Sequence, residues 1–512
     1  MAMTDDTTWF GLHRRALLFA ALLVAIEASY LAILTAGRFT VWPTWNANYD
    51  LLAEGFRSGH LYLSVPPRPE LLAKANPFDP IWRPLWFWDA SLYRGHYYLY
   101  WGPLPAVAIA FIKTVLRIHG TVGDQVPLFA FATINLVAGA LLIARMAARL
   151  FPRAPSWLVV LSVVVFAYAN PTPFLIATPG IYEAAIAGGQ AFLLLGLLLA
   201  LEALLRDGET GRRRLLILAG LSWGCAFACR ASAILPAAIF VALTALAFAP
   251  PAPWPRAWRA PLRPARWTAA PIAALVAAHL VYNRLRFDAW LDFGLSRQLS
   301  TMSFRTAPRY LLPNLYSYLL RPLHPSCRFP FVSAPAGLGP RAFPTGFAMP
   351  SGYAAPEPVA GLLGATPWVL LAALAAALVI ATLRHARRSP DELAGPTADA
   401  ARARARLWCG ATLLTLGTVT GLPEITEFFA SMRFLGDVAG GLVLAGTWAA
   451  FALYDRLGDK PWPGRILTLV VVALGGATIV IGLLLGVQGY DGMFEHHNPD
   501  LYRRWVALFS RC

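Results

Sequence analysis

The sequence has few charged residues, few cysteines and neither the common phosphate-loop motif nor the common zinc-protease motif. Asp, Glu, Lys and Arg make up 14% of its 512 residues, against about 25% in soluble globular proteins. Five cysteines are too few for a disulfide framework. The patterns GxxxxGK[ST] and HExxH do not occur. These absences argue against a soluble globular domain, a disulfide-stapled secreted domain, a P-loop enzyme and a zinc protease.

Hydrophobic residues, by contrast, make up 57% of the chain. Runs of about twenty apolar residues, enough to cross a hydrocarbon core of ~30 Å, include 16–37, 184–205 and 466–486. The first run is long and lacks a clear small-residue cleavage site, so we interpret it as a retained span and not as a signal peptide. The composition therefore predicts lipid as the solvent of much of the chain.

The net charge of +16 comes from arginines in short segments between the apolar runs. This distribution follows the positive-inside rule and does not indicate nucleic acid binding. Residues 98–118 are ambiguous, because they are apolar but contain Lys113, Arg117 and two prolines. If they spanned the membrane, the arginine clusters that follow would lie outside. If they only dip into it or lie along its surface, every cluster lies in the cytoplasm, and we adopt this interpretation.

The sequence thus predicts an all-α integral membrane protein, a single polytopic domain with about eleven (eleven to thirteen) transmembrane helices. The N-terminus is predicted to be cytoplasmic and the membrane to be a bacterial inner membrane. The short pair of helices around Arg230 and Pro236 can also be one broken helix. The eleven spans are predicted near residues 16–36, 127–147, 156–174, 184–204, 215–230, 234–248, 269–285, 366–384, 407–425, 433–453 and 465–487.

Three segments are then predicted on the periplasmic side. They are a large first loop with amphipathic juxtamembrane helices at 38–126, a second large loop at 286–365, and a tail at 488–512. Cys327 and Cys512 both fall on this side, and a disulfide between them is an open alternative to two free thiols.

The first loop contains a candidate catalytic base. Residues 46–57 are typical of a short amphipathic helix with Asp50 and Glu54 on one face and leucines toward the membrane. A carboxylate held at the bilayer surface can take a proton from an acceptor hydroxyl. Position alone favours the simpler interpretation, in which Asp50 and Glu54 are solvated surface residues.

Asp89 lies in an aromatic stretch of the same loop. Sugar rings stack on aromatic side chains beside acids, but aromatic residues also form interfacial belts without further function. Both interpretations are open. The residues of this stretch that we single out as candidate substrate contacts are Asp89, His96, Tyr98, Tyr100 and Trp101.

Charged residues also occur in or at the ends of apolar runs, where they are costly. Arg230 and Arg433 are both predicted near the outer ends of helices. A buried guanidinium there suits a phosphate, and the alternative is an arginine that snorkels to the interface. Asp437 follows Arg433 by four residues and can pair with it. Glu183 opens a helix, where the helix dipole alone favours a carboxylate.

Together these features resemble the GT-C superfamily of polytopic glycosyltransferases, as in bacterial relatives of protein O-mannosyltransferases and lipid A aminoarabinose transferases. Two departures from the family pattern occur. Asp50 is followed by Leu51 where members often have a second acid, and Tyr100-Trp101-Gly102 stands where a lysine is common. The motifs that carry the resemblance are Trp45-Asn46-Ala47-Asn48-Tyr49-Asp50 with Gly59-His60-Leu61-Tyr62-Leu63, residues 89–105, residues 220–230, residues 282–288 with 292–294, and Met432-Arg433-Phe434-Leu435-Gly436-Asp437.

The resemblance implies an enzyme that moves a sugar from a polyprenyl-phosphate donor in the membrane to a cell-envelope acceptor, a lipid, glycan or protein, at the periplasmic face. It implies Asp50 as the base, Glu183 as a residue that binds the sugar or orients the acceptor, and Arg230 as the cation that neutralises the leaving phosphate. No cofactor beyond this donor is required, and a divalent metal is optional. Further candidate substrate contacts are Glu54, Arg57, Asn283 and Arg433.

Two other functions stay open. A non-catalytic lipid or solute transporter usually shows internal repeats, and none is visible here. A polysaccharide polymerase or ligase has its large loop late in the chain, where residues 286–365 lie. The sugar, the acceptor and the oligomeric state are not indicated by the sequence.

Overall fold

Helices dominate the computed structural model, which describes residues 9–248, 262–301, 304–339, 342–388, 397–490 and 492–510. In the N-terminal half the helices are α1 (Trp9–Leu34), α2 (Asn48–Arg57), α3 (Pro69–Leu72), α4 (Leu104–Leu116), α5 (Gln125–Arg145), α6 (Ser156–Tyr168), α7 (Thr172–Ile176), α8 (Ile181–Leu204), α9 (Glu209–Cys229) and α10 (Ile234–Phe248).

The C-terminal half continues the same pattern. Its helices are α11 (Leu262–Phe287), α12 (Leu311–Leu315), α13 (Leu362–Ala365), α14 (Leu370–Arg388), α15 (Ala398–Thr418), α16 (Ala439–Leu457), α17 (Pro461–Gln488), α18 (Met493–His497) and α19 (Pro499–Phe509). The strands pair as two short antiparallel hairpins, β1 (Ser91–Tyr93) with β2 (His96–Tyr98), and β3 (His324–Pro325) with β4 (Val332–Ser333).

A helix lies at each of the eleven positions at which the apolar runs predict a span. Six apolar segments in the described residues are long and hydrophobic enough to cross a membrane, namely 14–34, 125–150, 181–204, 231–248, 367–385 and 461–488. The chain is therefore of the multi-pass membrane class, while the count of eleven spans stays a prediction. Helix α4 has 13 residues, about 20 Å at 1.5 Å per residue, which is shorter than the hydrocarbon core.

The segment around Arg230 forms two helices and not one broken helix. The backbone of Arg230 is extended (φ −146°, ψ 113°), so α9 ends there. The guanidinium of Arg212, near the start of α9, lies 5.2 Å from the ring of Phe248 at the end of α10. The two helices therefore run antiparallel, with Arg230 at the turn between them.

The two ends of the bundle differ in the residues that they carry. At one end, arginines pair with acids from other helices, as Arg145 does with Glu202 (2.7 Å) and Arg406 with Asp455 (2.9 Å). At the other end lie the last residues of α9 and α15, the first residues of α8, and the loop before α16. We call this second end the cavity end.

Residues of the first predicted loop fold over the cavity end as a small core of their own. Tyr49, Leu52 and Ala53 of α2 are fully buried there with Leu99 and Ile181. The sequence interpretation, in which the leucines of this helix face the membrane, is therefore wrong for Leu52, which packs against protein.

Helix α2 is capped from outside its own segment. The carboxylate of Asp124 accepts hydrogen bonds from the backbone N–H groups of Asn48 (3.0 Å) and Tyr49 (3.1 Å). These are first-turn amides that have no partner within the helix. Burial raises the pKa of Asp124 to about 7.

The second predicted loop packs along residues 426–432. The backbone N–H of Glu357 donates to the carbonyl of Ala430 (3.0 Å), and that of Phe428 donates to the carbonyl of Arg305 (3.1 Å). Cys327 of this loop is disulfide-bonded. Cys512, with which the sequence leaves a disulfide open, lies outside the described residues. The loop thereby brings its polar residues to the cavity end.

Candidate functional site

A cavity of about 1000 Å³ opens at the cavity end of the bundle. Its walls come from the first loop, the start of α8, the turn after α9, the second loop and residues 423–434. Twelve aromatic side chains line it, and so do six carboxyl groups and two guanidinium groups. The charged residues are Asp89, Glu183, Asp292, Glu357, Glu424, Glu427, Arg230 and Arg433.

Asp89 is held by two neutral hydrogen-bond donors. The hydroxyl of Tyr182 donates to its Oδ2 (2.6 Å), and the amide of Gln298 donates to its Oδ1 (2.8 Å). Its backbone φ is +63°, a left-handed conformation that costs energy in a non-glycine residue and concentrates at functional sites. Burial raises the pKa of the Asp89 carboxyl. These features are those of a positioned general base.

An aromatic wall stands beside Asp89. The rings of Tyr100 and Trp101 stack at 3.9 Å, and Tyr182 meets Trp101 edge-on at 4.9 Å. The Tyr100 hydroxyl lies 3.2 Å from that of Tyr182. The wall thus combines flat apolar faces with hydroxyl groups, which suits a sugar ring.

Arg230 is held by two acids from a distant part of the chain. Its guanidinium pairs with Glu424 (2.9 Å) and with Asp437 (2.6 Å). The predicted pair of Asp437 with Arg433 is therefore wrong, because the turn before α16 directs Asp437 to Arg230. Two carboxylates already neutralise Arg230, which weakens the expectation that it binds a donor phosphate.

Arg433 has one acidic ion-pair partner among the residues that the structure describes. Glu357 accepts from its guanidinium (3.1 Å) and from the hydroxyl of Ser431 (2.6 Å). The guanidinium also lies over the ring of Tyr182, at 4.3 Å. Arg433 therefore links the second loop to the wall beside Asp89.

Two further acids enter the cavity without an ion pair in the described residues. Glu183 is 4% exposed and folds back over the first turn of α8, close to Gly180. Glu427 is 8% exposed, and no side chain of the described residues donates a hydrogen bond to its carboxyl group. Burial raises the pKa of Glu427 to about 7.

No group of three or more His, Cys, Asp or Glu side chains in the described ranges is arranged to hold a metal ion. Four of the six lining carboxyl groups come from separate segments, whereas Glu424 and Glu427 come from one turn.

Asp50 lies elsewhere, contrary to the expected arrangement. It is 4% exposed and pairs with Lys113 of α4 at 2.7 Å, and it is not among the residues that line the cavity. It neither looks into a pocket shared with Arg230 or Glu183 nor faces solvent. The geometry describes a buried ion pair between α2 and α4.

Several other candidate contacts also lie outside the cavity. Glu54 pairs with Lys113 (2.5 Å) and Arg57 (2.8 Å), His96 stacks on Tyr62 (3.9 Å), and Asn283 accepts from Arg286 (2.7 Å). Tyr98 packs edge-on against Phe287. These side chains have structural partners and do not reach the pocket. The candidates that do line it are Asp89, Tyr100, Trp101, Glu183, Arg230 and Arg433.

Sequence reasoning missed Tyr182, Gln298, Glu357, Glu424 and Glu427. Tyr182 directly precedes Glu183, and Glu424 and Glu427 lie in the turn before Arg433, so acids next to candidate residues were an available signal. Gln298 and Glu357 are single polar residues in a long loop and carried no such signal.

The pentapeptide Gly220-Leu221-Ser222-Trp223-Gly224 spells GxSxG, but it does not form a nucleophile elbow. That elbow requires a turn between a strand and a helix, and here all five residues lie within α9. The hydroxyl of Ser222 donates to the carbonyl of Phe192 (2.7 Å). The residue therefore serves helix packing between α8 and α9.

No protein-family model matches the chain, and no curated protein matches it. Among solved structures, the archaeal oligosaccharyltransferase AglB from Archaeoglobus fulgidus, in complex with an inhibitory peptide and a dolichol-phosphate, aligns with a TM-score of 0.48 and 11% identity, over 98% of this chain and 60% of that chain. The Archaeoglobus fulgidus oligosaccharyltransferase tethered with an acceptor peptide aligns with a TM-score of 0.46 and 10% identity, over 96% and 59%. The apo form of the same oligosaccharyltransferase aligns with a TM-score of 0.45 and 12% identity, over 99% of this chain and 60% of that chain. The chain thus spans about 60% of the length of these structures.

Proposed function

We propose that this protein is a GT-C-type glycosyltransferase that moves a sugar from a lipid-phosphate donor to an acceptor hydroxyl within the cavity. One observation carries the proposal: a large pocket at the end of an apolar helical bundle joins a wall of aromatic rings to a carboxylate held by two hydrogen bonds. An amphiphilic donor can leave its chain in the membrane and insert its head group there.

The orientation follows from the arginine clusters, which gather at the end opposite the cavity. By the positive-inside rule that end is cytoplasmic, so we assign the cavity to the periplasmic face of a bacterial inner membrane. The acceptor would then be a cell-envelope lipid, glycan or protein.

In the proposed reaction Asp89, not Asp50, is the base. Its ionised carboxylate takes the proton of the acceptor hydroxyl while the acceptor oxygen forms a bond to the anomeric carbon. The bond from that carbon to the phosphate oxygen breaks, and the phosphate leaves with the electron pair. Attack from the face opposite the leaving group inverts the anomeric centre.

The remaining residues stabilise charge and position. Tyr182 and Gln298 fix the direction of the Asp89 lone pairs. Arg433, which has one carboxylate partner where Arg230 has two, is the better candidate to stabilise the leaving phosphate. Glu183 accepts hydrogen bonds from hydroxyls of the sugar or the acceptor, as the resemblance implies.

The test compares envelope glycolipids and glycans by mass spectrometry in cells that lack the gene and carry either the wild-type protein or Asp89→Asn. We expect the wild type to restore a missing sugar and Asp89→Asn to lower its transfer by about a hundredfold or more, the size of a general-base contribution. Asp500→Asn, which removes an exposed carboxylate of α19, is the matched control and should behave as wild type.

The same experiment separates an enzyme from a transporter. A transporter would leave the donor and its sugar intact on the cytoplasmic side when the gene is absent, and Asp89→Asn would alter no bond-forming step. Normal transfer by a well-expressed Asp89→Asn protein would reject the proposed role of Asp89.

A further inference from the structure

The charges that line the cavity do not balance. Its two guanidinium groups each have acidic partners within the protein, Arg230 with two and Arg433 with one. The lining carboxyl of Asp292 pairs with Arg297 at 3.1 Å. In the described part of the chain, each cation that pairs with a lining acid is thus already neutralised, and other lining acids remain.

Three lining acids have no ion pair among the described residues. They are Asp89, which accepts from two neutral donors, and Glu183 and Glu427. Desolvated carboxylates are costly unless a cation approaches them. When they are ionised, three such groups facing one pocket make the potential within it more negative.

Glu427 gives separate support for a bound ligand that neutralises the excess negative charge of the cavity. Its side chain is more than nine-tenths buried and lines the cavity, yet no hydrogen bond to its carboxyl group comes from the described residues. A buried polar group with no protein partner calls for an explanation such as a bound ligand. A protonated amine offers three N–H donors and one positive charge.

The aromatic wall fits the same ligand. Cations are attracted to the faces of Trp and Tyr rings, and Tyr100 and Trp101 line the pocket beside the acids. Sugar rings stack on these faces through their C–H groups. One wall can therefore receive both parts of an amino sugar.

We infer that the sugar bound in this cavity carries a protonated amine, which the unpaired carboxylates of Glu427 and Glu183 recognise. The inference rests on the proposed function and names the substrate class of that site. The same potential disfavours acidic sugars such as uronic acids, because their carboxylates would meet like charges.

The test measures binding of soluble probes to the purified full chain in detergent micelles by ligand-observed NMR near neutral pH. The probes are glucosamine, glucose, glucuronic acid, Mg²⁺ and Mn²⁺. We expect glucosamine to bind about tenfold more tightly than glucose, as one close charge pair predicts, and glucuronic acid more weakly than both. Glu427→Gln should remove most of the preference for glucosamine, and Asp500→Asn should keep it.

Glu183→Gln provides a second variant if Glu427→Gln does not fold. Equal binding of glucosamine and glucose would overturn the inference, as would a preference that survives both substitutions in folded protein. Tight binding of Mg²⁺ or Mn²⁺ that displaces glucosamine would assign the negative potential to a metal ion and would also overturn it.

The two proposals fail separately. If glucosamine shows no preference but Asp89→Asn still abolishes transfer in cells, the glycosyltransferase stands and uses a neutral sugar. If glucosamine binds through Glu427 but no sugar transfer depends on the gene, amine recognition stands and the enzyme does not.

Discussion

Removing the Lys113 side chain should destabilise the protein strongly, although many residues of α4, the helix in which it lies, are exposed. The side chain is 2% exposed and joins two acids of α2, Asp50 at 2.7 Å and Glu54 at 2.5 Å. Lys113→Met keeps the apolar stem but leaves the Asp50 carboxylate, itself 6% exposed, without a counterion. Breaking a buried pair from one side costs about 3–5 kcal/mol, and we expect a loss of this size.

The reverse change should cost less. Asp50→Asn leaves Lys113 paired with Glu54, whose side chain is 33% exposed and whose pKa the hydrogen bond from Lys113 lowers. We expect a loss of roughly 1–3 kcal/mol, the cost of one unsatisfied buried group. The double variant should be less destabilised than the sum of the two single variants by about 1–3 kcal/mol.

The assay is thermal unfolding of the purified full chain in detergent, followed by tryptophan fluorescence, with sugar transfer measured per folded molecule. The exposed pair of Arg503 and Asp500 supplies the control, since Arg503→Met should change the unfolding temperature little. Additive losses in the double variant would refute the ion-pair reasoning. Folded Asp50→Asn that has lost transfer completely would restore Asp50 as the base.

Three further predictions concern the cavity and its supports. Burial raises the pKa of Asp89. Because a general base must be ionised, transfer should fall as the pH drops through that raised pKa. Tyr182→Phe removes a hydrogen bond to the carboxylate and should therefore move this limb of the pH–rate profile to higher pH. Gly102→Ala places a Cβ 2.0 Å from the carbonyl oxygen of Ala228, a backbone clash that should lower both the unfolding temperature and transfer. The pKa of Asp124 is raised to about 7, so its ionised form destabilises the fold: stability should fall as pH rises from the ordinary range of an aspartate through 7, and Asp124→Asn should flatten this dependence in pH-dependent thermal unfolding.

The positions of the helices were predictable because they rest on local information. An apolar run of about twenty residues by itself predicts a helix buried in lipid or protein, and each of the eleven runs coincides with a helix. The end of α9 was also marked, since Arg230 and Pro236 interrupt the apolar pattern. The number of helices that cross the membrane does not follow from their positions. Six of the described helices are long and apolar enough to do so.

The partners of the charged residues were not predictable in the same way. Arg230 and Glu424 are 194 residues apart in the chain, and Glu357 reaches Arg433 only because the second loop pairs with the turn before α16. Sequence spacing can suggest a pair only within one helix, as it did for Arg433 and Asp437. That pair does not form because residues 432–437 make a 3₁₀ helix, whose periodicity does not place positions four apart on one face.

The placement of Asp50 outside the cavity and the ambiguity of residues 98–118 have one physical cause. Burying the charge of a lysine in a short apolar helix costs free energy wherever that helix lies. Burying a carboxylate in a packed helix costs free energy too. Considered alone, Lys113 argues against a membrane span at residues 98–118, and Asp50 suggests a catalytic group. Placed 2.7 Å apart, each removes the other's cost, and neither has charge left over for a substrate. Among the described residues, the cavity acids without an ion pair are Asp89, Glu183 and Glu427, so we expect the chemistry at these residues and not at Asp50.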